Sequence, residues 1–235
     1  MYNNYEYVNK SSSNIDTNLR AHFLKIYNYM GLGLIITAVF SYLIGRSPEL
    51  TASLLSGGTG MLIMLAPFGF LLFMSFGVNK LSFSTLQILF WSFCAVMGVS
   101  ISYIFILYSL EGIVRSFLIT ALTFLCMSLY GYTTKKDLSK FGSILIMGLV
   151  GIVIASVINI FMKSSAMELV ISVLGIFIFT GLIAFNTQRI REEYYAFSNN
   201  DEAKNKLAIM ASLNLYLNFL NLFLLILKFT GGRRD

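Results

Sequence analysis

Seven stretches of this chain contain no Asp, Glu, Lys or Arg: Ile26–Gly45, Leu50–Asn79, Leu81–Leu110, Ser116–Thr134, Phe141–Met162, Leu169–Gln188 and Leu207–Leu227. A hydrocarbon core of ~30 Å takes about 20 helical residues to cross. Inside it no water can pair with backbone N–H and C=O groups, so each stretch must close its hydrogen bonds on itself as helix. The chain therefore reads as an all-α integral membrane protein with seven transmembrane helices. The second and third stretches are longer than one span, and their Gly- and Ser-bearing ends are expected to be loop or tilted helix.

Loops this short leave no room for a soluble domain. The expected organisation is a polar N-terminal tail over 1–25, one seven-helix membrane domain over 26–228 and a short basic tail over 229–235. The first 25 residues lack the apolar core and cleavage site of a signal peptide and are expected to be flexible. If the N-terminus is inside, the inner segments hold 11 of the 17 Lys and Arg residues, Lys135, Lys136 and Lys140 among them, and the outer segments hold 6. That bias puts the N-terminus in the cytoplasm. The net charge of +6 is then loop bias facing anionic lipid, and nucleic acid is not an expected partner.

The polar residues exclude several functions. All 11 acidic residues lie outside the apolar stretches or at their edges, whereas proton-coupled pumps carry ionisable groups within them. The single histidine, His22, precedes the first stretch and is read as an interfacial side chain. A membrane serine nucleophile would have no base. Glu192-Glu193 sits in a charged segment beside Arg189 and Arg191, with no histidine to complete a metal site. The chain is not expected to be an enzyme, nor to bind a metal or other cofactor. Cys94 and Cys126 are expected to be packing residues. Pro67 should kink the second helix or loosen its outer turn. Gly98 with Ser102, Gly151 with Ala155, and Thr180 with Ala184 have the spacing of close helix packing.

What remains is an asparagine stripe in the seventh stretch. Asn214, Asn218 and Asn221 recur at i, i+4 and i+7 and share one helical face. An amide in hydrocarbon has nothing to bond to, so this face must look at protein or trapped water. Asn159 and Asn186, in the fifth and sixth helices, are further candidates for bonds between helices.

Three segments resemble the Bax inhibitor family, also called the transmembrane Bax-inhibitor-motif family. They are Leu129-Tyr130-Gly131-Tyr132-Thr133-Thr134-Lys135-Lys136-Asp137, Gly181-Leu182-Ile183-Ala184-Phe185-Asn186-Thr187-Gln188-Arg189, and Leu215-Tyr216-Leu217-Asn218-Phe219-Leu220-Asn221. The likeness runs from about Arg20 to Arg234, and the short loops and Gly231-Gly232-Arg233-Arg234 ending look like a bacterial member. The resemblance implies a C-terminal helix at the centre with the other six around it, and a place in the bacterial inner (cytoplasmic) membrane. It implies a pH-sensitive calcium leak channel, with cations as partners. For some bacterial members it implies instead a non-conducting regulator of a membrane-bound ATP-dependent quality-control protease. The family usually carries aspartates where this chain has Asn186 and Asn218, as a proton-sharing pair that senses pH and lines the ion path. Two amides at contact can bond reciprocally at any pH but cannot titrate. Asn186 and Asn218 are thus the expected gate and ion path. They should form an inner seal without titratable gating, supported by the polar face of Asn214, Asn221 and Asn159.

Overall fold

The computed structural model describes residues 3–78, 80–196 and 200–232, with side chains from Thr17 onward. Among these residues every regular element is helical. Seven helices are long and apolar enough to cross a membrane.

The first, α1 (Asn3–Gly45), is continuous, and its apolar span starts at Thr17. The polar segment read as a flexible tail therefore has a helical backbone from Asn3. Once a span is helical, extending it by a residue adds a hydrogen bond without a new nucleation cost. The long second stretch resolves into α2 (Pro48–Leu55) and α3 (Gly57–Gly77). Pro48 opens α2, where its missing N–H matters least, and Ser47 caps that helix by accepting from Leu50 N–H. The break before α3 falls at Gly57, whose φ of 59° is costly for a side-chain-bearing residue. The long third stretch resolves into α4 (Phe83–Ser100) and a single turn, α5 (Ile104–Leu107). Then follow α6 (Leu110–Thr133), α7 (Ser139–Met162), α8 (Ser165–Ala196) and α9 (Asp201–Thr230). Asn200 caps α9 at Ala203 N–H (2.9 Å). Asp201 and Glu202 in its first turn and Lys228 in its last complement its dipole.

The interior belongs to α9. Of its apolar window 67% is buried, against 6–39% for the other six spans. Its principal neighbours are α1, α4, α6 and α8. The C-terminal helix is thus central, but the surround is not six equal staves: α7 rests chiefly on α8, and α3 on α4. Apolar side chains such as Phe161 and Phe177 on the outside are what a hydrocarbon solvent requires.

Close approaches set these contacts. A Cβ on Gly98 would sit 2.6 Å from Thr37 C=O, so α1 and α4 cross there backbone to backbone. Gly131 lies against the Ala184 carbonyl, bringing α6 onto α8. Gly151 meets nothing within 4 Å, so the close packing expected of it with Ala155 is absent. The outer helix α7 has no neighbour on that side. Pro67 lies inside α3 and cannot donate to Ile63 C=O one turn back. Ser100 of α4 fills the gap: its hydroxyl lies 3.0 Å from Ile63 C=O and 2.9 Å from Val96 C=O.

Candidate functional site

Helical arithmetic identifies a seam between α8 and α9. At 100° per residue, Asn214, Asn218, Asn221 and Lys228 fall within one narrow sector of α9. Glu168, Ser172, Phe179, Leu182, Asn186 and Glu193 fall within one sector of α8. The two helices run antiparallel in close contact.

A chamber of about 460 Å³ opens at the α8–α9 connector end of this seam. Asn186 and Asn214 line its wall, with Ser75 of α3 on the third side. Its mouth carries both signs of charge, and they are paired: Arg189 with Glu193 at 2.6 Å, and Lys206 with Glu202 at 2.9 Å. A second chamber, about 500 Å³, occupies the opposite end, between the α5 turn, α8 and α9. Glu168 and Lys228, 3.1 Å apart, stand across it, and Ser172 and Leu224 line it. From Asn214 to Leu224 is ten residues, or ~15 Å along α9. That interval is the closed part of the seam. Phe179 and Leu182 of α8 are buried there, as are Leu215, Asn218 and Leu222 of α9.

The five sequence-nominated amides have different fates. Asn218 is 6% exposed, and its Nδ2 group has no hydrogen-bond partner among the described residues. Asn186 and Asn214 face the first chamber. The reciprocal Asn186–Asn218 hydrogen bond expected from sequence is not formed: Asn186 looks into the space that Asn214 borders, and Asn218 lies a turn deeper, ~6 Å along α9. Asn214 is exposed at the chamber wall and not packed against protein. Asn221 is half-buried and spends its amide N–H on its own helix, donating to Leu217 C=O at 2.8 Å. Asn159 makes no bond between helices. It ends α7: its Oδ1 accepts from Ser164 N–H at 3.0 Å, across the left-handed turn at Lys163.

Residues that the sequence reading passed over tie α9 and the helices around it together. The Tyr216 hydroxyl, fully buried, lies 2.6 Å from the Thr37 hydroxyl, which donates to Cys94 C=O at 2.8 Å. Thr37 has one proton, so Tyr216 must donate to it. On the α6 side Tyr27 and Ser128 are 2.5 Å apart, Ser128 and Thr187 3.2 Å, and Thr187 donates to Ile183 C=O. The same proton count fixes the direction from Tyr27 to Ser128 to Thr187. Ser212 reaches Ile26 C=O at 3.0 Å. The available signal was hydroxyls inside charge-free stretches, each needing an acceptor in a medium without water.

At the connector end α8 clamps the α6–α7 loop. Gln188 is 3% exposed, accepts from Leu138 N–H and donates to Lys136 C=O, both at 2.8 Å. Arg191 donates to Tyr132 and Thr134 carbonyls. Asp137 in that loop is held below the ordinary carboxylate range first by the Ser139 hydroxyl and then by Ser139 N–H, which donates to it at 2.8 Å. His22, read as interfacial, is buried at 8% exposure with its ring 5.0 Å from that of Tyr194. Cys94 is buried and Cys126 is exposed on the outer surface. No three His, Cys, Asp or Glu side chains cluster in metal-binding geometry among the described residues.

Sequence comparison with known proteins finds relatives across nearly the whole chain. The family described as inhibitor of apoptosis-promoting Bax1 matches residues 19–235. An uncharacterised protein of Rickettsia prowazekii is 43% identical over 220 residues, covering 94% of this chain and 93% of its own. An uncharacterised protein of Borreliella burgdorferi is 45% identical over 212 residues, covering 90% and 91%. The inner membrane protein YbhL of Escherichia coli is 35% identical over 218 residues, covering 92% and 93%.

Proposed function

The chain belongs to the Bax inhibitor family of multi-pass membrane proteins, and on that premise we propose that it is a cation leak of the bacterial inner membrane, calcium included, caught in its closed state. The observation that carries this reading is the pair of chambers on one α8–α9 seam, separated by a stretch containing a buried, unpartnered amide. An unsatisfied buried donor costs about 1–3 kcal/mol. A modest opening that lets water past Phe179 and Leu182 to Asn218 recovers that energy, and with it the two chambers join.

The chemistry favours passage over storage. The carboxylates at both mouths are already paired with Lys or Arg. A calcium ion seeks several oxygens, and charged ones set its affinity. Here it would meet amide and hydroxyl oxygens while keeping most of its water. Asn186 and Asn218 carry no titratable proton, so gating comes from helix movement and not from a shared proton.

Calcium release from dye-reporting liposomes tests the reading. The wild type is expected to leak calcium above empty liposomes, and Asn218→Leu, which makes the closed stretch wholly apolar, to leak less. No flux from wild type at any pH, together with co-purification of a membrane-bound ATP-dependent protease, would favour a non-conducting regulator.

A further inference from the structure

A second cavity lies on a different face, and its chemistry is unlike that of the seam. α1 and α6 both pack on α9 with their backbones apart, and meet each other through side chains, Tyr27 with Ser128 and Phe23 with Tyr132. Between them runs a groove of about 640 Å³, floored by Phe219 of α9. Phe23, Tyr27 and Met30 form one wall, and Ala121, Phe124 and Leu125 the other. The size is within the ~300–1,000 Å³ typical of small-ligand sites.

Three observations identify the occupant. The groove is lined from Arg20 to Met30 on α1, ten residues or ~15 Å, which is half of a ~30 Å hydrocarbon core and so one leaflet deep. Its deep wall offers no free hydrogen-bond donor: the Tyr27 and Ser128 hydroxyl protons are both committed to the relay that ends at Ile183 C=O. Its lip carries Arg20, exposed and without a hydrogen bond or ion pair among the described residues. A hydrocarbon-lined slot one leaflet deep, topped by an exposed guanidinium, matches a phosphate-headed lipid. Guanidinium binds phosphate with two parallel N–H donors.

We propose that this groove binds one anionic phospholipid, its acyl chain lying along Phe23, Tyr27 and Phe124 and its phosphate against Arg20. The site is independent of the seam and of the leak reading. Lipid there lies between α1 and α6, over Phe219 of α9.

Native mass spectrometry of the purified full-length protein, equilibrated with equimolar phosphatidylglycerol and phosphatidylcholine of identical chains, tests it. A guanidinium near an anionic headgroup favours binding by about five-fold. The wild type is expected to retain phosphatidylglycerol over phosphatidylcholine by about that ratio, and Arg20→Gln to retain both alike. Lys80→Gln, which removes an exposed charge away from the groove, should keep the preference. Ala121→Phe, which fills the slot, should lower retention of both lipids. Equal retention by wild type would overturn the proposal, as would a loss in Lys80→Gln matching that in Arg20→Gln, or unchanged retention in Ala121→Phe. A dimer lost in Ala121→Phe and indifferent to lipid would give the groove to a second copy of the chain.

Discussion

Asn218 and Asn186 carry the same side chain into different surroundings, and substitution should separate them. Asn218 is buried with an unpaired amide, whereas Asn186 lines a chamber that opens at the connector end. Asn218→Asp puts a carboxyl into a stretch with no Lys or Arg of either helix to pair it, and a central Asp costs about 2.5–3.5 kcal/mol on insertion scales. Asn186→Asp should cost less than about 0.5 kcal/mol, the range of ordinary exposed changes. Reversible unfolding in mixed detergent would report both. The relay beside them gives a cycle. Thr37→Val strands the buried Tyr216 hydroxyl and should cost about 1–3 kcal/mol. In a Tyr216→Phe background the same change should cost clearly less, because no hydroxyl is left to strand. Equal costs in the two backgrounds would mean that the 2.6 Å contact contributes nothing. The stripe itself was legible from spacing alone. Which of its amides is wet, bonded or orphaned was not, because that depends on where α8 lies and where the first chamber ends.

Among the elements, α3 and α7 show how little an apolar helix reveals about its inward face. Pro67 predicted a defect in α3, and the structure adds the repair, a serine 33 positions away on α4. Ser100→Ala should cost about 1 kcal/mol by leaving Ile63 C=O unpaired. The cost should vanish in Pro67→Ala, where residue 67 regains its N–H. The glycine pairs were read as contacts because small residues let helices approach, and Gly98 does face Thr37. Gly151 does not, since α7 is apolar on every side and its sequence cannot say which side α8 covers. Gly131→Ala is therefore expected to push α6 from α8 and destabilise. Gly151→Ala should be neutral or gain up to about 1 kcal/mol in helix propensity. Thermal unfolding of the two variants side by side would show whether the glycines differ. For α7, Asp137 makes a pH contribution of known sign. Its lowered carboxyl stabilises the helix start fully above its ordinary value of 3.8, and that stabilisation is lost as the pH falls through the lowered one. Unfolding of Asp137→Asn should match wild type at strongly acidic pH and fall behind it above about 4.

At the scale of the molecule, the seven helices were legible because hydrocarbon leaves a backbone one solution. The central place of α9 followed from the family resemblance and not from its polar face, on which Asn214 is exposed, Asn221 half-buried and only Asn218 buried. The outer placement of α3 and α7 had no counterpart in the pattern. The whole bundle also bears on pH. The amides of the seam do not titrate, and Asp137 responds only at acid pH, so leak through this protein should vary little between about pH 6 and pH 8. A steep profile there would move attention to His22, the only histidine, packed against Tyr194. The central claim is that two chambers approach one another along α9 with Asn218 in the closed interval. Single cysteines at positions 214, 218 and 224, in a protein with Cys94→Ala and Cys126→Ala, can be labelled in oriented proteoliposomes with an impermeant thiol reagent applied to one face at a time. The account predicts that Asn214→Cys reacts from the connector face, Leu224→Cys from the opposite face, and Asn218→Cys far more slowly than either. Fast labelling of position 218 from both faces, or an inert position 214, would contradict it.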